Sequence, residues 1–270
     1  MVQDQSQGHD SEADGGAGVG QVAREAFTGY EDTVARAMER AGVVPVLTGS
    51  RPVMLKPNLV NDSPFPVTTH PAFCAAVAVF VRRITDAPVV IAEGCGDAHM
   101  ETPEVFDALG YTELARRLGI GLLDLNTAPL VRLSRKDCQV FPEMWLPEAV
   151  FDTVLISLPV LKAHSFSRIT GSMKNMMGLA PPEHYAGRQG AWKKAVFHQR
   201  MHGAIVDLNR YRSPDFTVMD ATVGLAEFHL GGACCEPPPA LILAGRDARA
   251  VDREAAGLLC LDWREIPHLT

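Results

Sequence analysis

The segment from Leu158 to Gly178 holds the densest concentration of reactive side chains in the sequence. Lys162, His164, Ser165, Arg168, Thr170, Lys174 and Asn175 all follow one apolar run. Ammonium, guanidinium, imidazole, hydroxyl and amide groups all donate hydrogen bonds. A donor-rich loop that leads into a helix N-terminus suits a phosphate or a carboxylate. Lys56-Pro57-Asn58 repeats the pattern on a smaller scale. The proline disfavours helix at Lys56, so an ammonium and an amide stand together where an apolar strand ends. The expected ligand is an anionic small molecule. In that reading Lys162 and Lys174 hold its charge, His164 moves a proton, and Asn58 with Asn175 orients it. Lys162 and His164 are the catalytic candidates; Lys56, Asn58, Lys174, Asn175, Thr170 and Glu93 are the ligand-binding ones.

Glu93-Gly94-Cys95-Gly96-Asp97 brings two carboxylates next to two glycines. With His99 it predicts a divalent-metal set, or alternatively an acid and base pair. His198 and His202 are four residues apart on a predicted helix and would share a face there, but Gln199 stands where a zincin has its glutamate. His70 lies at a helix start, where it caps the helix or meets an anion. Cys95 is the best thiol nucleophile candidate, although no base is near it in sequence. The G-x-G of this loop does not extend to G-x-G-x-x-G, which removes a dinucleotide fingerprint.

These loops need elements to hold them. Apolar runs at Pro52–Leu55, Pro88–Ala92, Ile120–Asp124, Thr153–Leu158, Phe216–Asp220 and Ala240–Ala244 read as buried strands. Helical spacing appears around Tyr30–Ala41, Pro71–Arg83, Thr102–Leu109, Thr112–Leu118, Ser172–Met177, Phe197–Asn209 and Ala248–Cys260. Pro129–Leu146 alternates as an antiparallel excursion does. Near-continuous apolar strands that alternate with helices predict an α/β fold: a mostly parallel, doubly wound sheet with helices on both faces. Ligands of such sheets settle beyond the carboxyl ends of the strands, which is where Lys56, Glu93, Lys162 and Asp220 fall.

Residues 1–22 are rich in Gly, Ser, Gln and Asp and read as a disordered tail before a single α/β domain over residues 23–270. The net charge is −7, from 25 basic and 32 acidic residues, and four of the acids (Asp4, Asp10, Glu12, Asp14) lie in the tail. A chain with no basic excess is not expected to bind nucleic acid. No apolar run approaches a membrane span, and the first residues lack the charged and apolar regions of a signal peptide, so the expectation is a cytoplasmic protein without membrane contact. The six cysteines are scattered without C-x-x-C spacing, and most are expected to be buried small hydrophobes.

Several blocks resemble the domain-of-unknown-function 362 family. They are Val53-Met-Leu-Lys-Pro-Asn-Leu59, Thr69-His-Pro71, Ile156–Ser165 with its Leu-Pro-x-Leu-Lys-x-His core, Thr170–Leu179 with Met-Lys-Asn-x-x-Gly-Leu, Val218-Met-Asp220 and Leu243–Asp252. The resemblance runs from about residue 50 to residue 260. It implies a shared site built from Lys56, Asn58, Lys162, His164, Lys174 and Asn175, and a little more chain beyond Thr270. Some family members carry ferredoxin-like cysteine motifs and are described as iron–sulfur proteins. This sequence has no such cysteine run, so a [4Fe–4S] centre is not expected within it. Two further readings stand beside the anion site: a metal-binding or redox-associated accessory protein, and a protein-interaction module.

Overall fold

The computed structural model describes residues 20–187 and 192–270. The predicted tail lies outside the described residues except at Gly20, Gln21 and Val22. In chain order the elements are β1 (Ala23–Ala26), α1 (Tyr30–Arg40), α2 (Val44–Leu47), β2 (Val53–Pro57), α3 (Pro71–Ile84), β3 (Val89–Glu93), α4 (Thr102–Ala108), α5 (Tyr111–Leu118), β4 (Gly121–Asp124), β5 (Leu130–Ser134), β6 (Glu143–Pro147), β7 (Val154–Leu158), β8 (Val160–His164), β9 (Arg168–Thr170), α6 (Ser172–Asn175), α7 (Pro182–Tyr185), α8 (Met201–Tyr211), β10 (Phe216–Leu225), β11 (Leu241–Gly245) and α9 (Ala248–Leu258). The main sheet has the order β1-β11-β10-β7-β2-β3-β4. Its centre, from β10 to β4, is parallel, while β11 and β1 add an antiparallel edge. β5 and β6 form the separate antiparallel pair that the alternation predicts.

The inner strands β2, β3 and β7 are mostly apolar and buried because both faces of the sheet are covered. Val53 and Leu55 of β2 point into one core with Ile156, Val218 and Ile242, against α1, α3, α4 and α5. Met54, Leu155, Met219 and Leu243 point the other way, against α6, α8, α9 and the β5–β6 pair. A two-residue period that leaves no polar side is what a doubly wound sheet requires. α3 shows how the helices are set: Pro71 occupies the first turn, and His70 Nδ1 accepts from Ala72 N at 3.0 Å. His70 is therefore a helix cap, one of the two roles its position allowed.

Three sequence readings change. The Lys162–Thr170 segment is not a loop. β8 pairs in parallel with β10, and β9 folds back on β8 with Lys162 opposite Thr170 and His164 opposite Arg168. Pro159 interrupts β7 without ending the sheet, because β10 runs on to Leu225 and offers β8 a new edge. The helix predicted over Phe197–Asn209 is broken: a 3-10 segment covers Ala195–Arg200, and α8 begins at Met201. Of the cysteines, Cys74, Cys95 and Cys138 are buried as expected, but Cys234 and Cys260 are exposed.

α6 has only four residues and needs outside help to hold its place. Asp252 of α9, fully buried, accepts from Ser172 N at 2.6 Å and Met173 N at 2.9 Å. Burial pushes its carboxyl up to about 7, while these two N–H donors favour the charged form. Gly171 precedes α6 because a Cβ there would collide with the Asp252 carboxylate. This contact fixes the turn that carries Lys174 and Asn175.

Candidate functional site

A cavity of about 290 Å³ opens where β2, β3 and β8 end and α6 begins, and all eight residues singled out in the sequence line it: Lys56, Asn58, Glu93, Lys162, His164, Thr170, Lys174 and Asn175. At its base Lys56 Nζ and Glu93 Oε1 form a fully buried ion pair at 2.7 Å. Burial pulls the Lys56 ammonium down from its usual range, and the Glu93 carboxylate pulls it back. Glu93 also accepts from Leu59 N at 2.9 Å and Gly94 N at 2.8 Å.

Asn175 is bonded on every side. Its Oδ1 accepts from Lys56 Nζ at 3.4 Å and Asn58 Nδ2 at 3.3 Å, and its Nδ2 donates to Lys56 O and Ser157 Oγ, both at 3.1 Å. An amide spent in this way has no group left for a ligand. The ligand-orienting role expected of Asn175 is therefore replaced by a positioning role toward Lys56 and Asn58. Asn58 Oδ1 in turn accepts from Lys162 Nζ, which also donates to Val67 O at 2.6 Å.

Lys162 and His164 are two apart on β8 and so share a face, with Thr170 placed opposite Lys162 by the hairpin register. Burial takes the Lys162 ammonium down to about 7 and that of Lys174 down to about 8. Neither has a carboxylate within ion-pair distance among the described residues. His164 Nδ1 accepts from Phe166 N at 3.0 Å and Ser167 N at 3.3 Å, which places the proton of the neutral ring on Nε2. Burial, followed by the charge of Lys174, pushes its pKa far below the usual range. His164 is thus held as a neutral Nε2–H donor in the free protein. Thr170 Oγ1 is buried with no hydrogen-bond partner, as is Nδ1 of the neighbouring His229.

Lys194 is the residue that sequence reasoning missed. It is buried in the cavity wall, donates to Asn126 Oδ1 and Ala180 O, and is held down to about 7 by burial. Nothing in its surroundings, Trp192-Lys193-Lys194-Ala195, distinguishes it from a solvated surface lysine. His229 lies in a turn just after the exposed residues 226–228 and was equally silent.

The expected metal set is not assembled. Glu93 is engaged by Lys56, and Asp97 Oδ1 caps His99 N at 2.7 Å and Met100 N at 3.1 Å. His198 lines the cavity, whereas His202 Nδ1 lies 2.8 Å from Nδ1 of His268, because the break at Met201 turns the two histidines apart. Among the described residues no group of three His, Cys, Asp or Glu side chains is placed to hold a metal ion. Cys95 is buried, its thiol is pushed up by burial, and it donates to Met100 O, so it is not presented as a nucleophile.

Gly178 supplies a test of this packing. A Cβ at that position would land on Glu93 Oε1 and on the end of Lys56, both held rigidly by the buried pair. Gly178→Ala is expected to lower stability by about 1–3 kcal/mol, the usual cost of overpacking. Urea unfolding would measure it, and a midpoint equal to wild type would show that the pair has room to move.

A family model described as "Domain of unknown function (DUF362)" matches residues 53–257. The chain belongs to the DUF362 family. The match contains every one of the eight cavity residues above, and Lys194 as well. A curated relative, a thylakoid-associated protein of Synechocystis sp., is 27% identical over 226 residues, which cover 80% of this chain and 65% of the relative. This DUF362 chain therefore spans about two thirds of that relative's length. Among the described residues no helix is long and apolar enough to cross a membrane.

Proposed function

We propose that this protein binds an anionic small molecule, a carboxylate or a phosphate, in the Lys162–Lys174 cavity. The observation that carries the reading is a charge imbalance. Lys56, Lys162, Lys174 and Lys194 line the cavity, and Glu93 is the one carboxylate among the described residues lining it. Glu93 is committed to Lys56 at 2.7 Å. Buried ammonium groups are costly unless paired, and their depressed pKa values register that cost. A bound anion would remove it. Lys162, Lys174, His164 Nε2 and Thr170 Oγ1 are the donors that would meet the ligand, while Asn58, Asn175 and Glu93 hold the lysines in place. Lys162, poised at about 7, is the group suited to exchange a proton with a bound substrate. We read the protein as cytoplasmic; the thylakoid association in its relative's name makes peripheral membrane contact the alternative.

The test is calorimetric titration with sulfate, an oxyanion that does not titrate near neutral pH, beside native and denaturing mass spectrometry of the purified chain. Wild type should bind, and the double variant Lys162→Met, Lys174→Met should lose at least about 100-fold, since each charge-assisted contact is worth about 1.5–3 kcal/mol. A folded double variant that binds as wild type does would overturn the proposal. So would wild type that takes up no sulfate and carries no excess mass that denaturation removes.

A further inference from the structure

The cavity is larger than a bare oxyanion needs. Its volume of about 290 Å³ far exceeds the ~10–15 Å³ that holds a single water-sized group. The charged donors occupy only its inner end. The outer part is apolar: Phe166, Trp192 and Phe228 all line it. They are half of the six large hydrophobic side chains that stand exposed among the described residues, at 62%, 38% and 42% exposure. Solitary exposed hydrophobic residues are ordinary, but three aromatic ones converging on one polar cavity mark a binding surface.

These rings are linked to the charged end. Phe228 packs edge-on against His229 at 4.7 Å, and His229 stacks on His164 at 3.8 Å with the planes 19° apart. His164 neighbours Phe166 at 6.3 Å, and Phe166 meets His198 edge-on at 5.8 Å. The result is a near-continuous aromatic wall from the mouth of the cavity to the His164 donor. Neutral imidazoles serve here as flat rings as much as polar groups, since burial holds both His164 and His229 below their usual pKa. A planar ligand lying along this wall gains offset or edge contacts with several rings, while its charge reaches Lys162, Lys174 and the unpartnered Thr170 hydroxyl.

We infer that the ligand is an aromatic acid or aryl phosphate, with its anionic group at Lys162 and Lys174 and its ring between the Phe166, Phe228 and Trp192 side chains. This inference rests on the anion-binding reading, and the experiment separates the two. Methanesulfonate, cyclohexanesulfonate and benzenesulfonate share one headgroup and one charge, so calorimetric titration of the full chain with each isolates the body of the ligand. Benzenesulfonate should bind at least about tenfold tighter than methanesulfonate and several-fold tighter than cyclohexanesulfonate. Phe228→Ala and Phe166→Ala should each erase much of that margin, weakening benzenesulfonate by a larger factor than methanesulfonate. Equal affinity for all three probes would overturn the aromatic assignment while leaving the anion site standing, as would cyclohexanesulfonate matching benzenesulfonate. Failure of all three to bind, together with sulfate, would remove both readings.

Discussion

Glu93→Gln should lower the stability of this protein by about 3–5 kcal/mol, a larger loss than any other single charge removal among the buried residues. The reason is that Lys56 and Glu93 are both sequestered from water and 2.7 Å apart. Removing one partner leaves the other charge buried and unpaired, which costs about 3–5 kcal/mol, even though the intact pair contributes little net stability over a well-packed apolar pair. In a chain of this size that loss corresponds to a fall in Tm of roughly 6–20 °C, at about 2–4 °C per kcal/mol. The double variant Lys56→Met, Glu93→Gln should recover most of the deficit, because it buries no uncompensated charge. The deficit of the single variant should also shrink as pH rises, since a lone Lys56 then sheds its proton more easily. Chemical denaturation of the four proteins in this cycle measures all of this. A Glu93→Gln protein within about 1 kcal/mol of wild type would show that the pair does not organise the base of the cavity.

Anion affinity should be greatest below pH 7 and fall steeply as pH rises through 7 and 8. Lys162 loses its proton near pH 7 and Lys174 near pH 8 in the free protein, both lowered first by burial. Below these values both lysines are already charged, so sulfate binds without proton uptake. Above them, binding must return one and then two protons, and the affinity declines by up to about a factor of 100 per pH unit by linkage. Titration in two buffers of different ionisation enthalpy would reveal the uptake directly. The stability of the free protein should have the opposite slope. An unfolded lysine titrates near 10.4, so between about pH 7 and 10.4 the unfolded chain binds more protons than the native one. These two groups therefore make the native state progressively more stable as pH rises through that window, and their penalty is complete below pH 7. Affinity for sulfate that stays flat from pH 6 to 9 would mean that neither lysine meets the anion.

The residues of this cavity come from five separate stretches of sequence, and the three that hold Lys56, Glu93 and Lys162 were legible in advance. Apolar runs that end in Lys56-Pro57-Asn58, Glu93-Gly94 and Ser157-Leu158 read as strands, because they are short, rich in branched residues and stopped by proline or glycine, as strands of a sheet covered on both faces are. Strand ends in such a sheet share one edge, so the polar residues there are drawn toward one crevice. Helix boundaries were legible for a similarly local reason, as at Pro71, where proline fits only the first turn. The family resemblance rested on the same blocks and agrees with the match over residues 53–257.

What the linear pattern did not contain were the relations made across long separations. Val160–His164 is as apolar and as short as any loop segment next to a proline; it becomes a strand because β10 extends past β7 and leaves an edge for it. The fate of Glu93 depended on which side chain arrived 2.7 Å away, and that was Lys56, not a metal. The tautomer of His164 was set by two backbone N–H groups that its own strand end folds back on it. Lys194 and His229 reach the cavity from stretches with no periodic signal at all. Strand and helix character, and the set of residues near the strand ends, follow from local chemistry and are written in the linear pattern. Charge state, pairing and reach depend on burial and on neighbours distant in the chain, and these arise with the fold.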